Sequence, residues 1–271
     1  VTRALPSLPK QPLLAIALTV LTGLSGCNSK PAITDFTASF GGSSTALPTD
    51  EGQLRRFAED WGQRYDRNPK DKATALTYAK ALQALDQNQQ AVAVLQGLAI
   101  SYPEDMKVLG AYGKALADGG NVMQAAEVLR KAHTPERPDW SILSTQGSLA
   151  DRLGDHDAAR GYYEQALKIR PNEPTVLSNL GLSYALAKNL PRAEETLRLA
   201  ANQPTADMRV RQNLALVLAL QGKFPEAEEW SRRDLAPIDA AQNVASIRQM
   251  ISQSDTWRDI QTTPAKRSAS R

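Results

Sequence analysis

Few side chains in this 271-residue sequence are equipped for covalent or metal chemistry. One cysteine, Cys27, allows no disulfide framework and no cysteine-based zinc site. Two histidines, His133 and His156, stand at unrelated positions of the pattern described below, so they imply neither an acid–base pair nor a metal cluster. No GxSxG, Walker loop or GxGxxG occurs where a strand would lead into a helix. The carboxylate pairs Glu194-Glu195 and Glu228-Glu229 read most simply as solvated helix faces. No enzymatic activity, metal or cofactor is therefore expected. The formal charge of +3 sits at the ends: residues 1–26 carry +2, residues 255–271 carry +2, and the middle is left at −1. A nucleic-acid-binding body would be basic, so no nucleic-acid partner is expected.

The cysteine follows a distinctive lead. A short basic, proline-containing stretch precedes an apolar run from Leu13 to Leu24. Twelve helical residues span about 18 Å, too short for a hydrocarbon core of about 30 Å but suited to the apolar part of a signal peptide. The run ends in Leu24-Ser25-Gly26-Cys27, which resembles the lipobox of bacterial lipoproteins. That resemblance implies cleavage after residue 26 and lipidation of Cys27, with several acyl chains giving firm membrane attachment. Asn28 stands where an aspartate would suggest inner-membrane retention, so the expected location is the outer membrane, facing the periplasm. Residues 27–50, rich in Ser, Thr, Ala and Gly, read as a flexible tether spanning about 26 Å.

Behind the tether a 34-residue period fixes the architecture. Ala91, Ala125, Ala159, Ala193 and Ala227 share one register, and Ala79, Gly113, Gly147, Gly181 and Ala215 share another. Pro103, Pro138, Pro171, Pro204 and Pro237 recur near the end of each unit. The pattern resembles the tetratricopeptide repeat, in which small residues sit where two antiparallel helices approach most closely. The resulting expectation is an all-α solenoid of five 34-residue helix-turn-helix repeats, beginning near Lys72, Met106, Trp140, Pro174 and Met208. Gly120, Gly154 and Gly222 fall at turns between paired helices. A helix over residues 51–68 and another over 240–253 extend the solenoid, which spans 51–254. Residues 255–271 are expected to be disordered, and Arg211, Ser231 and Asp234 mark a terminal repeat facing water.

Such a solenoid binds through the concave face made by its first helices. Position six of these helices gives Thr77, Ala111, Thr145, Asn179 and Asn213. Its asparagines resemble the ladders of peptide-binding repeat proteins, where an amide both donates to and accepts from a ligand backbone; the alternative is an amide turned to water or to the preceding turn. Leu182, Leu186, Leu216 and Leu220 form either an apolar peptide groove or a surface covered by the C-terminal helix. Lys80, Lys114 and Arg152 make the N-terminal half of the groove basic.

The whole layout of lipobox, tether, repeats and cap resembles the TadD-type lipoproteins of tight-adherence (Flp) pilus assembly. The most similar segments are residues 137–140, 171–181 and 209–218. The resemblance implies an assembly factor or pilotin-like partner for the secretin through which the pilus leaves the cell, bound to the membrane by its lipid. A role in type IV pilus secretin assembly or β-barrel assembly, or as a scaffold recruiting a cell-wall enzyme, stays open beside it.

Overall fold

A computed structural model describes residues 46–262, with side chains to residue 253. The expected leader, Cys27 and most of the tether lie outside the described residues. Those described form twelve α-helices and no strand. Helix α1 (Glu51–Arg67) leads into five antiparallel pairs. They are α2 (Lys72–Ala84) with α3 (Asn88–Ser101), α4 (Met106–Asp118) with α5 (Val122–Arg130), and α6 (Trp140–Arg152) with α7 (His156–Ile169). Then come α8 (Pro174–Leu186) with α9 (Leu190–Ala201), α10 (Met208–Leu220) with α11 (Phe224–Ser231), and the closing helix α12 (Pro237–Thr262). Each element packs on its neighbours along the chain, the arrangement of an α-solenoid. Among the described residues no helix is long and apolar enough to cross a membrane.

Two local devices repeat with the period. Carboxylates cap the first helices: Asp71, Asp105, Asp139 and Asp207 each accept a hydrogen bond from a backbone N–H of the first turn. In α8 the capping position holds Glu173, which makes no such bond, and Pro174 at the first turn removes one of the N–H groups needing a partner. At the turn inside each repeat, Asp86, Gly120, Gly154, Lys188 and Gly222 all adopt positive φ, between 59° and 84°. The next N–H then reaches back to a carbonyl of the first helix, as from Asn189 to Tyr184 at 2.8 Å and from Lys223 to Leu218 at 2.9 Å. Lys188 holds this conformation with a β-carbon, which costs about 1 kcal/mol. Lys188→Gly is therefore expected to raise the melting temperature by about 1–3 °C, measured by circular dichroism; a fall would show that the lysine makes compensating contacts.

The core follows the small-residue registers. Ala91, Ala125, Ala159, Ala193 and Ala227 are all fully buried. Opposite the small residues of the first helices stand Leu95, Leu129, Tyr163 and Leu197, also buried. A β-carbon added to Gly147 would lie 2.6 Å from the Tyr163 ring, and one added to Gly181 would lie 2.6 Å from Leu197. These glycines are the holes that receive the large side chains of the paired helix.

Three features of the sequence reading are corrected. Helix α12 runs to Thr262, eight residues into the segment expected to be disordered, because residues 255–262 contain neither Gly nor Pro to stop it. Arg211, Ser231 and Asp234 are not simply turned to water: Ser231 is buried and the other two are half-buried in one ion pair. Arg211 forks onto Asp234 through Nε at 2.8 Å and Nη2 at 2.5 Å, while Ser231 is buried and donates to the Ala227 carbonyl. Glu194 is not on a solvated face either. It accepts from Arg198, from Gln221 at 2.7 Å and from Lys223 at 2.6 Å, because the α10–α11 turn brings the last two over α9.

The Glu194 cluster carries a pH dependence. Desolvation alone would raise this carboxyl, but hydrogen bonds from Lys223, Arg198 and Gln221 outweigh it and hold the pKa at about 2. Since the folded value lies below the ordinary 4.5, the stabilisation is complete above pH 4.5 and fades as pH falls towards 2. Its size at neutral pH is about 1–2 kcal/mol after allowance for the solvent-exposed partners. Urea titrations of Glu194→Gln and the parent should differ by this amount at pH 7, with the difference shrinking below pH 4.5 and closing only as the pH falls through about 2. A constant difference would remove the carboxylate from the explanation.

Candidate functional site

The first helices α2, α4, α6, α8 and α10 line one side of the solenoid. Between α4, α6 and α8 lies a pocket of about 330 Å³, with Arg209 of α10 at its edge. Of the residues expected to bind, Thr145, Asn179, Lys114 and Arg152 line this pocket together. Lys80, Leu182, Leu186, Asn213, Leu216 and Leu220 are not among its lining.

Each wall has a physical cause. On α6, Ser141, Ser144, Thr145 and Ser148 recur at helical spacing and give the pocket a hydroxyl floor. Thr145 donates back to the Ser141 carbonyl at 2.9 Å. Asn179 is not bonded to the preceding turn of its own helix: its amide donates to Ser144 Oγ of the preceding repeat, at 3.3 Å. Asn213 does the same to Ser178, at 3.0 Å. The asparagines thus stitch neighbouring first helices, and each leaves its carbonyl oxygen and a second N–H for a ligand.

The charges differ in enclosure: Lys114 and Glu173 are buried, whereas Arg152, Asp118 and Arg209 are exposed. Lys114 is 8% exposed and donates to Ser141 Oγ at 2.5 Å. Burial pushes its ammonium below the ordinary lysine range, while Asp139 and Asp118 pull the other way. Half-burial does the same to Lys80. Arg152 donates through Nη1 to the Ala117 carbonyl at 2.8 Å. Asp118 reaches solvent at its rim yet is crowded by protein. Desolvation raises its carboxyl, opposed by Gln83, Lys114 and Arg152. Glu173, also in the wall, is held by Arg170 at 2.8 Å.

The four leucines divide. Leu216 is buried in one core cluster with Val244 and Ile247 of α12, and Leu220 packs against that cluster. Leu182 and Leu186 remain half-buried. The polar lining from Trp140, Ser141, Ser144, Ser148, Thr175 and Arg209 was legible in principle, since most of these residues fall at the concave positions of the repeat. Their convergence with Asp118 and Glu173 depends on how the repeats stack. Below the pocket, Asp151 accepts from Tyr163 at 3.0 Å and from Ser183 at 2.8 Å, and lies 2.8 Å from His156 Nδ1. This cluster ties α6 to α7 and α8. Among the described residues no group of His, Cys, Asp and Glu is placed to hold a metal.

Comparison with known proteins agrees with this geometry. Residues 76–139 and 144–208 match one tetratricopeptide-repeat family description, and residues 208–233 match a second. The chain belongs to the tetratricopeptide-repeat (TPR) proteins. It is 31% identical over 127 residues to the TPR repeat-containing protein PA4667 of Pseudomonas aeruginosa, a match covering 46% of this chain and 21% of that one. The chain thus spans about a fifth of the length of that curated relative. The crystal structure of PilW, a widely conserved type IV pilus biogenesis factor, superposes with a TM-score of 0.61 at 18% identity, covering 72% of this chain and 91% of PilW. TTC0263, a thermophilic TPR protein of Thermus thermophilus, gives 0.54 at 20% identity, over 62% of this chain and 91% of its own. At these identities the shared property is the TPR fold. TPR repeats generally act by binding other proteins.

Proposed function

We propose that this TPR protein is a lipid-anchored, periplasm-facing assembly factor of the outer membrane that captures a segment of the secretin, or of another component, of an Flp (tight-adherence) pilus system. The observation that carries the binding role is the concave pocket on α4, α6 and α8, where hydroxyls, a half-used amide, the buried Lys114 and the exposed Arg152 converge. The anchor rests on Leu24-Ser25-Gly26-Cys27, and the pilus client on the segments that resemble TadD-type proteins. The fold shared with PilW, itself a pilus biogenesis factor, is compatible with this reading.

Crosslinked pull-down from membranes tests the client. Secretin or pilus-assembly proteins are expected in the eluate; recovery of β-barrel assembly proteins or cell-wall enzymes without secretin would replace the pilus reading with one of its rivals. Fractionation of Cys27→Ser tests the anchor. The variant should leave the outer-membrane fraction, and unchanged fractionation would reject lipidation.

A further inference from the structure

We propose that a second copy of this chain docks on the outer face of α9, giving a two-fold dimer that leaves both concave pockets open. Thr175 and Asn179 of α8 line the concave pocket, whereas Leu177, Leu180 and Tyr184 lie on the opposite side of that helix. There they floor a second cavity of about 480 Å³, walled by Arg192, Glu195, Thr196 and Leu199 of α9. The wall residues recur at three- and four-residue spacing, so they form one stripe along α9. Leu199 is 48% exposed, a large apolar side chain beside an apolar floor. Arg192 and Glu195 are exposed, and neither forms an ion pair among the described residues. Glu194 and Arg198 face the other way, paired with each other and with Lys223 and Glu226. Arg192 instead rests over the Tyr184 ring at 5.5 Å, as Arg160 of α7 does at 5.4 Å.

The stripe is complementary to itself. Its cation and its anion stand one turn apart, so an antiparallel α9 from a second copy sets Arg192 against Glu195 twice. The same pairing carries each Leu199 to the Tyr184 end of the other copy's cavity. A different protein would have to reproduce this order of charges, whereas a second copy carries it by symmetry.

Sedimentation velocity on the full chain in density-matched detergent, over a range of protein concentrations, tests this. The parent is expected to show a monomer–dimer equilibrium. Arg192→Glu and Glu195→Arg each bring like charges together twice, and each should weaken dimerisation by about tenfold. Combined in one chain, the two reversals restore opposite charges at both contacts, so the double variant should return to within about threefold of the parent. Leu199→Asp should weaken the dimer by about tenfold as well, since it sets a carboxylate against the apolar floor. Circular dichroism confirms that the variants fold. A monomer at every concentration would overturn the inference and leave the outer face of α9 to a different protein. A dimer indifferent to the single reversals and to Leu199→Asp would also overturn it, because copies that merely share a micelle behave in that way. A double variant that stays as weak as the single ones would reject the antiparallel pairing. Each of these outcomes leaves the reading of the concave pocket where it stands.

Discussion

Gly147→Ala is expected to destabilise the solenoid by about 2–4 kcal/mol, which would lower its melting temperature by about 5–15 °C. The added methyl would lie 2.6 Å from the Tyr163 ring, and that ring is only 1% exposed, so it has nowhere to move. Its hydroxyl is also fixed, donating to Asp151 at 3.0 Å. Either α6 and α7 separate, or Tyr163 abandons its bond. Gly161→Ala is the internal control, because a β-carbon there meets nothing within 4 Å. In the interior of α7 it should stabilise by about 0.5–1 kcal/mol. Urea melts of the two variants should therefore move in opposite directions, and two equal shifts would discredit the close helix approach as the cause.

Asp151→Ala should cost about 2–4 kcal/mol, since it removes the acceptor of Tyr163 and Ser183 and the partner of His156 at one stroke. Ser183 is fully buried. Its hydroxyl can turn to a helix carbonyl; the Tyr163 hydroxyl has less freedom. Because Gly147 and Asp151 both act through Tyr163, the double variant should lose clearly less than the two single losses combined. Additive losses would mean that Tyr163 does not couple them. The expected consequence for binding is indirect: α6 supplies the hydroxyl floor of the pocket, and Asp151 anchors α6 to both neighbours.

How far the sequence could be read depended on which interactions leave a periodic mark. The registers through Ala91 and Gly147 are visible because close helix approach admits only small side chains, and the same demand returns every 34 residues. The left-handed turns at Gly120, Gly154 and Gly222 show themselves through glycine, whereas Asp86 and Lys188 adopt the same conformation without that signature. Shortened α5 is a local exception: it ends at Arg130, and Pro135 follows in a turn where Thr134 pairs with Arg137. Long-range polar links were hidden. The fork of Arg211 on Asp234 and the capture of Glu194 by Lys223 join residues more than twenty positions apart, and composition alone made them look like surface charge. The site was half legible for the same reason. Concave positions could be numbered from the repeat, but the asparagine-to-serine bonds between neighbouring first helices, and the pocket enclosed beside them, arise from stacking.

The central claim is that this TPR solenoid engages its partner through the pocket between α4, α6 and α8. A photo-crosslinking amino acid placed at Ser148, inside that pocket, and separately at Glu164, on the exposed side of α7, tests it in living cells. The account predicts a discrete partner adduct from position 148, lost when Arg152→Gln and Arg209→Gln are added, and none from position 164. An adduct from position 164 with none from 148 would contradict it and place recognition on the outer surface of the repeats.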